Sequence, residues 1–238
     1  MEIIGIALAA FAAATIAAVS GFGGAVVLLP ILVAALGARD AVIALTLAQL
    51  AGNGSRVVFN RDDIDRAVVG WFALGAVPLA LLGGVAFAAA PVDLLRVLLG
   101  AFLIAAVAWR RLRRRPPPRP PLRSFSALGG VFGFLSALLG SVGPLLAPFF
   151  LAYGLTKTAY IGTEAAATII MHTTKLVAYT GTGVLATGAA LTGLALAPSM
   201  IAGSWLGKRL LARLNERTFA TIIDAVLLAS GTLLVLDP

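Results

Sequence analysis

The chain is 238 residues long, 60% hydrophobic and 12% charged, against roughly 25% charged in an ordinary soluble domain. A mean hydropathy of +1.01 and long charge-free stretches exclude a soluble globular protein and point to one polytopic, all-α membrane domain. The net charge of +8 does not describe a nucleic-acid face, because the basic residues lack interleaved aromatics and sit between apolar segments.

Taken in chain order, apolar runs between breakers predict helices over 3–19, 26–36, 41–59, 67–89 and 94–109 in the first half. In the second half they predict helices over 125–139, 145–153, 158–179, 189–206 and 218–236. The first run opens with Glu2 and has no Lys or Arg before Arg39. It lacks the positive n-region of a signal peptide and is expected to belong to the mature protein. The turn Asn60-Arg61-Asp62-Asp63-Ile64-Asp65-Arg66 lacks the Gly and distal Glu of a calcium loop and reads as a solvated turn. Between the halves, residues 110–123 hold seven arginines among prolines, too polar for lipid and therefore an extended cytoplasmic linker. The expected units are residues 1–109 as a first membrane repeat, 110–123 as the linker and 124–238 as a second repeat.

The halves share their punctuation. Ser20-Gly21-Phe22-Gly23-Gly24, then Pro30 and Gly37, is echoed by Gly140-Ser141-Val142-Gly143-Pro144, then Pro148 and Gly154. Ala41-Val42-Ile43-Ala44 is echoed by Ala159-Tyr160-Ile161-Gly162, and Pro78 with Gly83 by Pro198 with Gly203. The segments 26–36 and 145–153 are too short to cross a hydrocarbon core, which needs about 20 helical residues. Folding each glycine-broken pair into a re-entrant hairpin leaves three spans per half and makes the halves inverted repeats. Arg56, Arg61, Arg66, Lys157, Lys208, Arg209, Arg213 and Arg217 then fall on the side of the linker, and both chain ends on the other side. Of the 18 basic residues, only Arg39, Arg96 and Lys175 lie elsewhere, as the positive-inside rule requires.

This arrangement, with a Gly-rich first hairpin, a following Pro, an Ala-rich helix, an Arg-bearing linker and a repeat beginning near Gly140, resembles the sulfite exporter TauE/SafE family, also called the 4-toluene sulfonate uptake permease family. The resemblance implies secondary transport of sulfur-containing anions, sulfite or organosulfonates, across the cytoplasmic membrane. In its second hairpin this sequence departs from the usual glycine run, which Ser141, Val142 and Pro144 interrupt.

Unwound backbone at membrane depth survives only where protein or a wet cavity surrounds it. The breaks at Ser20, Gly21, Phe22, Gly23 and Gly24, and at Gly140, Ser141, Val142 and Gly143, are therefore candidate substrate sites. A helix starting there offers free N–H groups and about half a positive charge to an anion. Glu164, Thr168, His172, Lys175 and Tyr179 share one face of the 158–179 helix, and Thr46, Gln49, Asn53 and Arg56 form the matching stripe on 41–59. Gln49, Asn53, Thr168 and His172 are candidate substrate ligands. Glu164 and His172 are candidate proton carriers, and Lys175 and Arg56 candidate gating cations whose long side chains are expected to snorkel towards the helix ends. The alternatives are interhelical hydrogen bonding for Gln49 and Asn53, a buried pair for Glu164, a carbonyl partner for His172 and close helix packing for the glycines.

No Gly-x-Ser-x-Gly, Walker or zinc-protease motif is present, and no cofactor, metal or enzymatic activity is expected. The absence of cysteine likewise removes thiol chemistry. The expected partners are a small sulfur-containing anion and the lipid bilayer, with a homo-oligomer left open and nucleic acid excluded. The competing readings are an intramembrane enzyme using Glu164, His172 and Lys175, and a non-transporting assembly subunit.

Overall fold

The computed structural model describes residues 2–112, 118–155 and 157–210, and every regular element among them is helical. Ten α-helices follow one another: α1 Glu2–Ser20, α2 Gly24–Leu36, α3 Ala38–Phe59, α4 Arg66–Ala89, α5 Val92–Leu112, α6 Ser124–Leu139, α7 Gly143–Tyr153, α8 Lys157–Gly181, α9 Thr187–Ala195 and α10 Ala197–Leu210. By length and composition Ala38–Phe59, Arg66–Ala89 and the α9–α10 stretch Thr187–Leu210 suffice to cross a membrane. The expected helix over 218–236, the linker residues 113–117, Arg213 and Arg217 lie outside the described residues.

The run 189–206 lies within the single apolar stretch Thr187–Leu210, interrupted only by a turn residue at Leu196, where the backbone stays right-handed and the Leu196 and Met200 N–H groups still bond the Thr192 and Leu196 carbonyls at 3.2 and 3.0 Å. Pro198 has no N–H to return to the Leu194 carbonyl, so the regular ladder loses a bond there.

Packing follows from small residues. Helices in lipid gain nothing from burying one apolar surface against another, and close backbone approach supplies the contact energy instead. Helix α4 lies along α6 and α8, and α10 lies along α1 and α3. At the α4–α6 crossing a Cβ on Gly75 would collide with the Ser126 carbonyl, and one on Gly129 with the Phe72 carbonyl. At the α1–α10 crossing the Phe11 and Thr15 carbonyls occupy the space of a side chain on Gly203 and Gly207. We expect Gly129→Val to lower the unfolding free energy in detergent by about 2–3 kcal/mol through forced separation of α4 and α6. Gly5→Val, where nothing lies within 4 Å, is expected to stay within about 0.5 kcal/mol of the parent. Equal thermal midpoints for the two proteins would refute this account of the crossing.

The turn after α3 meets the start of α8: the Asp65 N–H donates to Thr163 Oγ1 at 2.9 Å, while Asp65 Oδ1 caps α4 by accepting from the Val68 N–H at 3.0 Å. At the same end Lys208 Nζ donates to the Phe59 carbonyl at 2.5 Å. The α7 terminus is held by Phe125 edge-on to Tyr153 and by Arg119 over the same ring at 5.4 Å. Arg61, Arg66, Arg119, Arg123, Lys157, Lys208 and Arg209 thus gather at one end of the bundle. At the other end Arg39 Nη2 donates to the Ala90 carbonyl at 2.5 Å.

Candidate functional site

Each pair α1–α2 and α6–α7 folds back through a glycine turn. Gly21 and Gly23 adopt φ of 79° and 95°, and Gly140 adopts 77°, a left-handed region that only glycine enters without strain. The first arm closes alike in both pairs: Gly21 N–H donates to the Ala17 carbonyl at 2.8 Å, and Gly140 N–H to the Ser136 carbonyl at 2.9 Å. Both second arms contain an internal proline, Pro30 and Pro148. Pro144 occupies the first turn of α7, where an N–H would have no helical partner.

The two turns meet. A Cβ on Gly143 would lie 3.3 Å from Phe22 Cβ, and between the turns is a cavity of about 20 Å³. That exceeds the space a single water needs. The sequence-predicted residues Gly21, Phe22, Gly23, Gly24, Gln49, Asn53, Ser141, Val142, Gly143, Thr168 and His172 line it, together with Arg56 and Glu164. Ser20, Gly140 and Lys175 stand behind the wall: Ser20 Oγ bonds the Ile16 carbonyl at 2.8 Å, and the other two bond each other.

The N-termini of α2 and α7 begin at the cavity wall. The α2 ladder starts with the Val27 N–H on the Gly23 carbonyl at 3.2 Å, whereas at α7 the Leu145 and Leu146 N–H groups already bond the Val142 carbonyl at 3.0 and 3.1 Å and Pro144 has none, so α7 offers the positive end of its dipole more than free donors. Three side chains on the wall add polar atoms that have no hydrogen-bond partner: Gln49 Oε1, Asn53 Nδ2 and His172 Nδ1. These residues are 6%, 1% and 2% exposed, and leaving buried polar atoms unpaired costs about 1–3 kcal/mol each. Asn53 Oδ1 is already occupied by Arg56 Nη2, so its amide has only donors left to offer.

The cations are where the expectation is corrected. Arg56 and Lys175 do not snorkel, because both are buried, at 4% and 0% exposure. Arg56 Nη1 donates to the Gly21 carbonyl at 3.0 Å, the Ala17 carbonyl at 3.3 Å and Glu164 Oε2 at 3.4 Å. Lys175 Nζ donates to the Gly140 carbonyl at 2.9 Å, the Ser136 carbonyl at 3.1 Å and Ser136 Oγ at 3.3 Å. The same interval in the sequence separates Ala17 from Ser136, Gly21 from Gly140 and Arg56 from Lys175. A cation on the helix after each hairpin therefore covers the carbonyl end of that hairpin's first arm. The pull is mutual, since the end of a helix carries about half a negative charge.

Glu164 Oε1 also accepts from Thr168 Oγ1 at 3.0 Å, so its carboxylate bridges α3 and its own helix. Sequence reasoning missed Ser136, Met171 and Ala17 on the wall. A serine in apolar α6 and an alanine in α1 look like packing residues. The only available signal was the constant interval linking Ala17 to Ser136.

A family model described as Sulfite exporter TauE/SafE matches residues 6–234 of the chain. No curated protein matches, and no solved structure does.

Proposed function

The chain belongs to the sulfite exporter TauE/SafE family, and from that premise we propose that it is a secondary carrier of a small sulfur-containing anion, sulfite or an organosulfonate, working by alternating access in the cytoplasmic membrane. The family is one of transporters, and the apolar helices are those of a multi-pass membrane protein. The reading rests above all on one cavity at the N-termini of α2 and α7 whose lining residues include Asn53, with an unpartnered amide donor Nδ2, and His172, with an unpartnered ring nitrogen Nδ1. Sulfite and sulfonate oxygens accept hydrogen bonds, and helix N-termini favour negative charge.

In this reading α1–α2 and α6–α7 are re-entrant hairpins of inverted repeats. In support, the second arm α2 runs into Gly37 and α3 beside Arg39, at the Ala90 end of the bundle, whereas α7 ends at Tyr153 beside Arg119. The end that gathers the basic residues, Arg119 and Arg123 of the linker among them, is the cytoplasmic one. Glu164 holds Arg56 through an ion pair of 3.4 Å. An arriving anion competes with that carboxylate for the guanidinium, and a proton taken up by Glu164 frees it. Glu164 and His172 are accordingly the candidates for proton coupling.

Uptake by purified protein in proteoliposomes tests the reading, with sulfite, thiosulfate, taurine, sulfoacetate and acetate supplied under set proton and sodium gradients. Saturable uptake of at least one sulfur anion, and none of acetate, is expected. An intramembrane enzyme would instead consume the compound, and an assembly subunit would move none of them. Full retention of pH dependence by both Glu164→Gln and His172→Ala carriers would remove proton coupling from the mechanism.

A further inference from the structure

A hairpin tip is electrostatically ambiguous. The N-terminus of its second arm attracts an anion, but the carbonyl end of its first arm lies a few residues away and repels one with a similar partial charge. An uncovered tip has little net preference for either sign. In this chain both carbonyl ends are covered, that of α1 by Arg56 and that of α6 by Lys175.

The two covers differ in charge balance. Arg56 is paired with Glu164, so that half of the site carries no net charge. Lys175 has three acceptors, the Ser136 and Gly140 carbonyls and the Ser136 hydroxyl, which suit the three donors of an ammonium but bring no negative charge. Ser136 and Gly140 of the α6 arm meet its ammonium and Gly84 of α4 lies near its backbone carbonyl, none of them titratable, and His172 and Tyr179 lie on its own helix. Among the described residues the buried charged side chains are Arg56, Lys175 and Glu164, two positive and one negative. A buried charge without a counter-charge is costly in a medium of low dielectric. Ser136 bonds Lys175 on one side and lines the cavity on the other, so the missing negative charge is felt where the ligand sits.

We infer that Arg56 and Lys175 are the charge-selecting residues of the site: they cover the carbonyl ends of α1 and α6 so that only the positive ends of α2 and α7 act on the cavity, and Lys175 sets the site to take one negative charge from its ligand. This rests on the anion-carrier reading. It adds that the net binding charge comes from a residue outside the ligand's contact shell, while on the wall the charge of Arg56 is balanced by Glu164 and the other lining residues are neutral. Lys175 is a positioning residue, acting through the backbone of the tip.

The test is sulfite uptake into proteoliposomes over a concentration series. Lys175→Gln keeps an amide that can donate to the tip carbonyls and removes only the charge. Its KM is expected to rise at least tenfold with Vmax within about threefold, and Lys175→Arg is expected to restore KM. Ser136→Asp reaches the same end without touching the lysine, because it places a carboxylate beside Nζ. It is expected to raise KM at least tenfold where Ser136→Asn, of the same size and uncharged, raises it less than threefold. Should Lys175→Gln fail to insert, the Asp–Asn comparison decides alone. A KM within twofold of the parent for Lys175→Gln or Ser136→Asp, or equal effects of Asp and Asn, overturns the inference while leaving the carrier intact. If the parent protein itself moves none of the sulfur anions, the carrier reading is what has failed.

Discussion

Removing the carboxylate of Glu164 by Glu164→Ala is expected to destabilise the protein by about 3–5 kcal/mol. The pair it breaks is buried on both sides, with side-chain exposures of 5% and 4%. Without Glu164 the guanidinium of Arg56 keeps the Gly21 and Ala17 carbonyls and Asn53 Oδ1, all neutral, and its charge is left uncompensated. A surface pair removed in the same way, Arg61 with Asp62 at 3.6 Å and largely exposed, is expected to cost well under 1 kcal/mol. Arg56→Ala is expected to be as damaging as Glu164→Ala, because it strands the carboxylate and uncovers the end of α1 together. The double variant Arg56→Ala/Glu164→Ala should cost less than the sum of the two, by about 1–3 kcal/mol of coupling. Unfolding free energies in mixed detergent micelles provide the measurement. A Glu164→Ala protein within 1 kcal/mol of the parent, or strict additivity in the cycle, would show that the 3.4 Å contact carries no weight.

The order of the helices was open to reading in the sequence because lipid simplifies the code. Apolar runs of 3–19, 145–153 and 158–179 are bounded by glycines and charges, and the helices Glu2–Ser20, Gly143–Tyr153 and Lys157–Gly181 end within a few residues of them. The local irregularity at Leu196 was not visible, because a proline such as Pro198 is compatible with either a kink or a first turn. The cavity wall was legible for a related reason. In an apolar chain, clustered glycines and a polar helix face stand out, and a face that cannot meet lipid has to converge on something. What the sequence could not show was direction. Arg56 and Lys175 each lie near a helix end, and a long cationic side chain there reaches equally well towards water or back onto a neighbouring carbonyl. The choice is made by the arms of α1 and α6, whose ends arrive beside α3 and α8 only in the folded chain. Ser136 was hidden likewise: its hydroxyl matters because Lys175 reaches it.

Transport should fall at least a hundredfold in Gly143→Leu while the protein remains inserted and its melting temperature stays within a few degrees of the parent. Gly143 opens α7 with no left-handed φ, so a side chain there is free of backbone strain. Its Cβ would lie 3.3 Å from Phe22 Cβ, 3.9 Å from Phe22 Cα and 4.0 Å from Ser141 Oγ, so the Phe22 turn has to give by only a few tenths of an ångström. The remaining carbons of a leucine would extend into a cavity of about 20 Å³ and fill it. Gly23→Leu looks equivalent in the sequence, but the structure separates the two. Gly23 has φ of 95°, and a leucine forced into that conformation costs about 1–2 kcal/mol before it touches anything. Lost transport in Gly23→Leu therefore mixes strain with occlusion, and its melting temperature should drop where that of Gly143→Leu does not. Gly23→Asn supplies the control, since asparagine enters the left-handed region more readily, and it should recover most of the lost stability. Sulfite uptake at the parental rate by an inserted Gly143→Leu protein would mean that the anion does not pass between the two glycine turns, and the site would have to be sought elsewhere in the bundle.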